Sequence, residues 1–382
     1  MPDPFAAIRP YDDGEVRPTI DRLLGSRDFL SAMLRLRFGE WALIPLWSWL
    51  LRPVARLYLR RQLATVETVH DLQMRVKTYV ERMIEDTTAG LTVSGLEHLD
   101  PANAHLFISN HRDIAMDPAL TNYVLHRAGY ETLRIAIGDN LLSEQWVADL
   151  MRLNKSFIVQ RSVSGPRELL ANSKLLAQYI RKSIQEDNAP IWIAQREGRA
   201  KDGRDRTEAA VIKMLSLSRD KKHESFGDHI ASLRIVPVAI SYELDPCDAM
   251  KARELSERES TGSYEKSDQE DVESIGQGIA GSKGQVHVKF GTPLGSNFET
   301  PADVAAAIDA QIVHGYLLRP VNLWAYETLE GPLKSDVEIG EGSSSRAEFE
   351  DRVRALTEEE RPFALAAYAN ALRSVLELDT PS

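Results

Sequence analysis

The sequence predicts an α/β domain, an open sheet flanked by helices, set between two helical extensions. Two observations carry this. From residue 91 onward, short β-rich runs alternate with amphipathic helical stretches. Before residue 90 and after residue 300, apolar residues recur at spacings of three and four, as they do along one face of a helix. The chain therefore divides into 1–90, 91–300 and 301–382. With 43% hydrophobic and 27% charged residues, its 382 residues have an ordinary globular composition.

In chain order, IDRLL, FLSAMLRLRF and TVETVHDLQMRVKTYVERMIED carry the helical spacing. Among them lies WALIPLWSWLL (41–51), an uncharged run of eleven residues with three tryptophans. A bilayer span takes about 20 apolar residues, so this run does not cross alone. RPVARLYLRR follows, where Arg52, Arg56 and Arg60 line one helix face. Residues 31–61 hold six arginines and one glutamate, in a chain of net charge −11. Tryptophans beside an arginine stripe suit a segment lying in the headgroup layer, so we expect 31–61 to meet a membrane surface. A core helix whose arginines reach out to water is the alternative.

The expected strands are LTVSGL, HLFISN, LRIAIGD, SFIVQR, PIWIAQ, LRIVPVAISYE and VHVKFG, spaced by helices such as ELLANSKLLAQYIRKSIQED. Residues 251–284 are polar and charge-rich, and read as a partly helical excursion before VHVKFG. Helical periodicity returns over 301–382, interrupted by EIGEGSSSRAE, a loop or helix cap.

The acidic balance argues against nucleic acid as the main partner. A single cysteine, Cys247, excludes an internal disulfide framework, suits a reducing compartment, and reads as a small buried apolar side chain. The start, MPDPFAAIRPYDDGEVRP, lacks a basic stretch followed by an apolar core. We expect no secretory signal, and a location in the cytoplasm or on the membrane face turned toward it.

Chemistry concentrates in SNHRDIAMDPAL (109–120), directly after an expected strand. A kinase loop would need Asn five residues after the Asp of H-R-D; that position is Pro118, and no D-F-G follows. A G-x-G-x-x-G string spans Gly276 to Gly281, but an acidic stretch precedes it where a phosphate cradle needs a strand. Histidines are scattered, and no two lie close on one expected element except His223 and His229 in a polar loop, so no metal site is expected. G-x-S-x-G is absent as well. His111 remains as a general base, at a strand's C-terminal edge where α/β sheets place their ligands. A histidine packed in a turn is the plain alternative, and Asp117 before Pro118 also fits a helix N-cap.

Three further stretches complete a pattern: SFIVQR ending in Arg161, then Glu197-Gly198-Arg199, then IVPV with Pro237. In this order, with VSGLEHL (93–99) and KFGTPL (289–294) at the edges, residues 91–296 resemble the glycerolipid acyltransferases. These include the lysophosphatidic acid and glycerol-3-phosphate acyltransferases. The resemblance implies an open mixed sheet, and transfer of a fatty acyl group from a thioester of CoA or acyl carrier protein to a lysophospholipid hydroxyl. The preferred acceptor would be 1-acyl-glycerol-3-phosphate, with no cofactor beyond the acyl carrier as co-substrate. It implies His111 as the base and an aspartate as its partner. The family spacing is H-x-x-x-x-D; here Asp117 follows after five residues and Asp113 after one. Asp117 is favoured because Asp-Pro-Ala-Leu continues as the family motif does.

By the same resemblance Arg161 and Arg199 grip the acceptor phosphate, since a planar guanidinium meets phosphate oxygens with two bonds. Glu197, beside Gly198, orients Arg199 or binds acceptor hydroxyls. Arg112 touches the carrier's phosphates or only the sheet edge. SFIVQR has one residue more than the family motif, and E-G-R one fewer. Glycerol 3-phosphate or a non-phosphate lyso-lipid as acceptor, thioester hydrolysis, and a catalytically silent lipid-binding protein are the competing readings.

Overall fold

The computed structural model describes residues 3–39, 44–142, 144–162, 165–267 and 270–379. Seven strands stand where the seven β-rich runs predict them, and residues separate into two compact units. These units depart from the linear division, because residues 133–179 cluster with residues 1–80.

The first unit begins with α1 (Asp13–Gly25), α2 (Arg27–Phe38), α3 (Pro45–Gln62) and the first half of α4 (Val69–Thr87). Asp12 and Glu15 form a capping box on α1, and Ser26 caps α2. Val16, Ile20, Leu23 and Leu24 of α1 close a core with Phe29, Leu30, Leu72 and Leu153. To this unit also belong the parallel pair β3 (Arg134–Gly138) and β4 (Ser156–Val159), with α6 (Gln145–Leu153) between them and the start of α7 (Pro166–Gln185) after them.

On α3, Trp47, Leu50, Val54 and Leu57 recur at three- and four-residue spacing, yet all are exposed, as are Trp49 and Tyr58. Trp41, Ala42 and Leu43 of the tryptophan-bearing run lie outside the described residues. Among those described, no helix is long and apolar enough to cross a membrane.

The second unit is built on β1 (Gly90–Ser94), β2 (Leu106–Ser109), β5 (Ile191–Ala194), β6 (Ile235–Tyr242) and β7 (Gln285–Phe290), in the order β1-β7-β6-β2-β5. Of the four neighbouring pairs, β1 with β7, β2 with β5 and β2 with β6 run parallel, while β6 and β7 run antiparallel, so the sheet is mixed. β2 and β6 are buried along their whole length, as central strands covered on both faces must be. In this register Ser109 lies beside Ala194 on one side and Val238 on the other. The segments after β2 and β5 therefore leave the sheet side by side, while β6 runs on for four more residues to Tyr242.

Helices α5 (Met116–Arg127), α8 (Ala209–Leu215), α9 (Phe226–Ser232), α10 (Asp248–Thr261) and α11 (Glu270–Ala280) follow the strands. The region 301–379 is α12 (Pro301–Gly315), α13 (Pro320–Glu330), α14 (Arg346–Arg354) and α15 (Arg361–Asp379), and it belongs to this same unit. Val321, Ala325, Phe349, Tyr368 and Ala369 form its core. Tyr368 and Arg352 both donate to buried Asp248, at 2.7 and 2.6 Å, which binds these helices to α10. Within EIGEGSSSRAE the loop ends at Ser345, which caps α14, and Arg346 to Glu348 are that helix's first turn; Glu243 accepts the Ser343 and Ser344 amides at 2.8 and 2.7 Å.

Candidate active site

The segment leaving β2 is fastened residue by residue. Asn110 is fully buried; its Oδ1 accepts from the Ile240 amide at 2.8 Å and its Nδ2 donates to the Ile240 carbonyl at 3.0 Å. An amide side chain thus takes the place of a strand backbone and keeps the chain against β6 beyond the end of β2. The His111 carbonyl accepts from the Ala200 amide at 2.7 Å, and the Arg112 carbonyl from Lys251 Nζ at 2.7 Å.

Asp117 lies under this segment with no exposure at all. Its Oδ2 accepts from His111 Nδ1 at 2.9 Å, from the Arg112 amide at 2.6 Å and from the Asp113 amide at 2.9 Å. Its Oδ1 accepts from the Tyr242 hydroxyl at 2.7 Å. A carboxylate only accepts, so the imidazole proton lies on Nδ1 and Nε2 presents its lone pair. Nε2 makes no hydrogen bond among the described residues, and the Trp192 ring stands edge-on to the imidazole, 5.8 Å between centroids. A ring held this way is able to take a proton at Nε2.

Asp113 makes no bond to His111. Its Oδ1 accepts from the Ala115 and Met116 amides at 2.9 and 2.8 Å, so Asp113 holds the turn that leads into α5, and Asp117, inside the first helical turn, faces back toward the histidine. The helix start inserts the extra residue between His111 and Asp117 without parting them. Burial, and then Asp117, push the Asp113 carboxyl above the usual carboxylate range. Burial, and then the same Asp117, raise Tyr242 well above an ordinary phenol, so it stays a hydrogen-bond donor.

Arg112 turns inward. Its guanidinium forks onto Asp205 at 3.0 and 2.7 Å, donates to the Gly203 carbonyl at 2.8 Å and lies over the Tyr316 ring. Of the alternatives open from sequence, it takes the protein side, and it ties the segment after β2 to the loop after β5. That loop carries exposed Glu197 and Gly198, the latter in the left-handed region at φ 69°, and partly exposed Arg199. Arg199 donates to Ser274 of α11, Lys201 pairs with Glu254 of α10, and Arg204 pairs with Glu377 of α15 at 2.9 Å. Arg161 belongs to the first unit, just after β4, and its amide donates to Asp139 at 3.1 Å. The second unit thus brings together His111, Arg112, Asp113, Asp117 and Ala200, the residue after Arg199.

Three contributors escaped the sequence reading. Tyr242 had no local mark, being 125 residues from Asp117. Lys251 and Asp205 lay among other charges. The glycine string also has a structural use. A Cβ on Gly278 would fall 2.8 Å from Asp113 Cγ, so glycine lets α11 approach this aspartate.

Residues 90–241, about two fifths of the chain, match the family model described as Acyltransferase, over nearly the same stretch that resembles the glycerolipid acyltransferases in its ordered motifs. Among solved structures, the 1-acyl-sn-glycerophosphate (LPA) acyltransferase PlsC of Thermotoga maritima is similar at 14% identity and a TM-score of 0.36, over 79% of this chain and 95% of that one. No curated protein sequence matches the chain.

Proposed function

We propose that the protein transfers a fatty acyl group from a thioester, of CoA or acyl carrier protein, to the hydroxyl of a lysophospholipid, with 1-acyl-glycerol-3-phosphate as the preferred acceptor. The observation that carries this is the pairing of His111 Nδ1 with buried Asp117, which leaves Nε2 without a hydrogen bond among the described residues. In the proposed step Nε2 takes the acceptor's hydroxyl proton as that oxygen attacks the thioester carbonyl. The tetrahedral intermediate collapses to an ester, and the imidazolium returns the proton to the departing thiolate. Asp117 stabilises the imidazolium. Glu197, Gly198, Arg199 and Arg161 are assigned to the acceptor, and Arg112 to the support of the loop that carries three of them. The exposed apolar stripe of α3, with exposed Arg56 and Arg60 beside it, supports contact of 31–61 with an anionic membrane surface on the cytoplasmic side.

The test is thiol release from long-chain acyl-CoA and from acyl carrier protein, with and without lysophosphatidic acid, on wild type and His111→Ala. Acceptor-dependent release that falls by about two orders of magnitude or more in the variant is the expected result. Release without acceptor would mean hydrolysis. No release from either donor, with glycerol 3-phosphate also supplied, would overturn the phosphate-acceptor reading.

A further inference from the structure

We infer that Tyr242 is a positioning residue for the His111–Asp117 pair, holding the carboxylate in the one orientation that serves the histidine; this rests on the acyl-transfer reading above. The two oxygens of Asp117 are unequally served. Among the described residues Oδ2 has three N–H donors, while Oδ1 has only the Tyr242 hydroxyl, at 2.7 Å. Because Asp117 is fully buried and Tyr242 4% exposed, the phenol is the partner that keeps Oδ1 from being an unsatisfied buried anion. Tyr242 ends β6, a central strand of the sheet, whereas His111 lies on the segment after β2. One end of the carboxylate is tied to the reactive segment and the other to a central strand.

The groups facing this pair are Asp113 and Arg112 from the segment after β2, Asp205 from the loop after β5, Asp245 after β6, Lys251 of α10 and Tyr316 after α12. Arg112 is already paired with Asp205 and Lys251 with Asp245, so neither replaces the phenol as a donor to Oδ1.

Tyr242→Phe keeps the ring and removes the donor. A carboxylate that loses a hydrogen bond becomes more basic, and one less satisfied by other donors also holds an imidazolium more firmly. Both effects raise the pH at which the basic form of the pair is lost. The expected outcome is a fall in kcat of about tenfold, with KM for both substrates unchanged, and a rise of about one unit in the acid limb of kcat/KM. Installing 3-fluorotyrosine at 242 keeps the shape and makes the donor stronger; the limb then moves the other way, and this arm decides the matter if the phenylalanine variant does not fold. An acid limb that stays in place in both variants overturns the inference, as does a tenfold loss from Tyr242→Phe that recurs in full in an Asp117→Asn background. His111→Ala separates the failures. Full activity in that variant refutes the base assignment and the inference with it, whereas activity that needs His111 but is indifferent to Tyr242 refutes the inference alone.

Discussion

Gly203→Ala is the sharpest perturbation of how the site is supported. Gly203 has φ 76°, in the region that costs an L-residue about 1–2 kcal/mol. A Cβ there would lie 2.7 Å from the carbonyl carbon of Ala367 in α15 and nearer still to its oxygen. That obstacle is helix backbone, so relief requires the loop or α15 to move, a steric cost of about 1–3 kcal/mol. The sum is about 2–5 kcal/mol, or a fall in melting temperature of about 5–15 °C for a domain of this size. The effect does not stop at stability. The Gly203 carbonyl accepts from Arg112 and Asp205 forks onto the same guanidinium, so a displaced loop pulls on the residue next to His111. Since small misplacements weigh heavily on rate, acceptor-dependent thiol release at 25 °C should fall about tenfold or more while the protein is still folded. Calorimetry and the release assay on one preparation measure both. An unchanged melt would refute the wedging of the loop against α15. A lowered melt with full activity would refute the connection from α15 to the histidine.

Two other outcomes follow from buried charge. Arg112→Met strands Asp205 without its partner and should cost about 3–5 kcal/mol in urea unfolding; a raised KM for the acyl donor at unchanged stability would place Arg112 on the donor instead. Lys283 is fully buried, donates to Thr87 and Gly281 at 2.9 Å, and burial pushes it down to about 8. Its folded value lies below its unfolded one, so between pH 8 and about 10.4 the unfolded chain binds the extra proton and stability rises with pH. Lys283→Met should remove up to about 3 kcal/mol of that rise, and urea midpoints of wild type and variant that run parallel from pH 8 to 10 would contradict it.

What the sequence disclosed and what it hid follow from range. Every strand was legible, because runs such as HLFISN and IVPVAISYE are rich in β-branched and aromatic residues and end in turn signals. His111 with Asp117 was within reach of a local reading, although the same reading left Asp113 beside it. Choosing between the aspartates takes the helix start, where Asp113 meets the free amides and Asp117 points back. The role of Arg112 was open because Asp205 lies 93 residues away, and Tyr242 was invisible for the same reason. The stretch after Glu197 is basic, with Lys201, Arg204 and Arg206 close together in sequence. Lys201 and Arg204 meet glutamates on α10 and α15, which adjacency in sequence does not reveal. Nor does the order of elements announce that β3 and β4 cluster with the N-terminal helices.

The seat of the loop on α15 also sets a schedule for biosynthesis. Asn370 donates to the Asp202 carbonyl at 2.7 Å across 168 residues of sequence. At about 5–20 residues per second, a ribosome needs roughly 10–30 s to make the intervening chain. Once Tyr242 has been made, roughly 6–25 s of synthesis still separate it from Ala367, and for that time His111, Asp117 and Tyr242 exist without the wall behind Gly203. A nascent chain therefore holds both members of the candidate dyad before it can hold the loop beside them, and that loop takes its seat only with the arrival of α15.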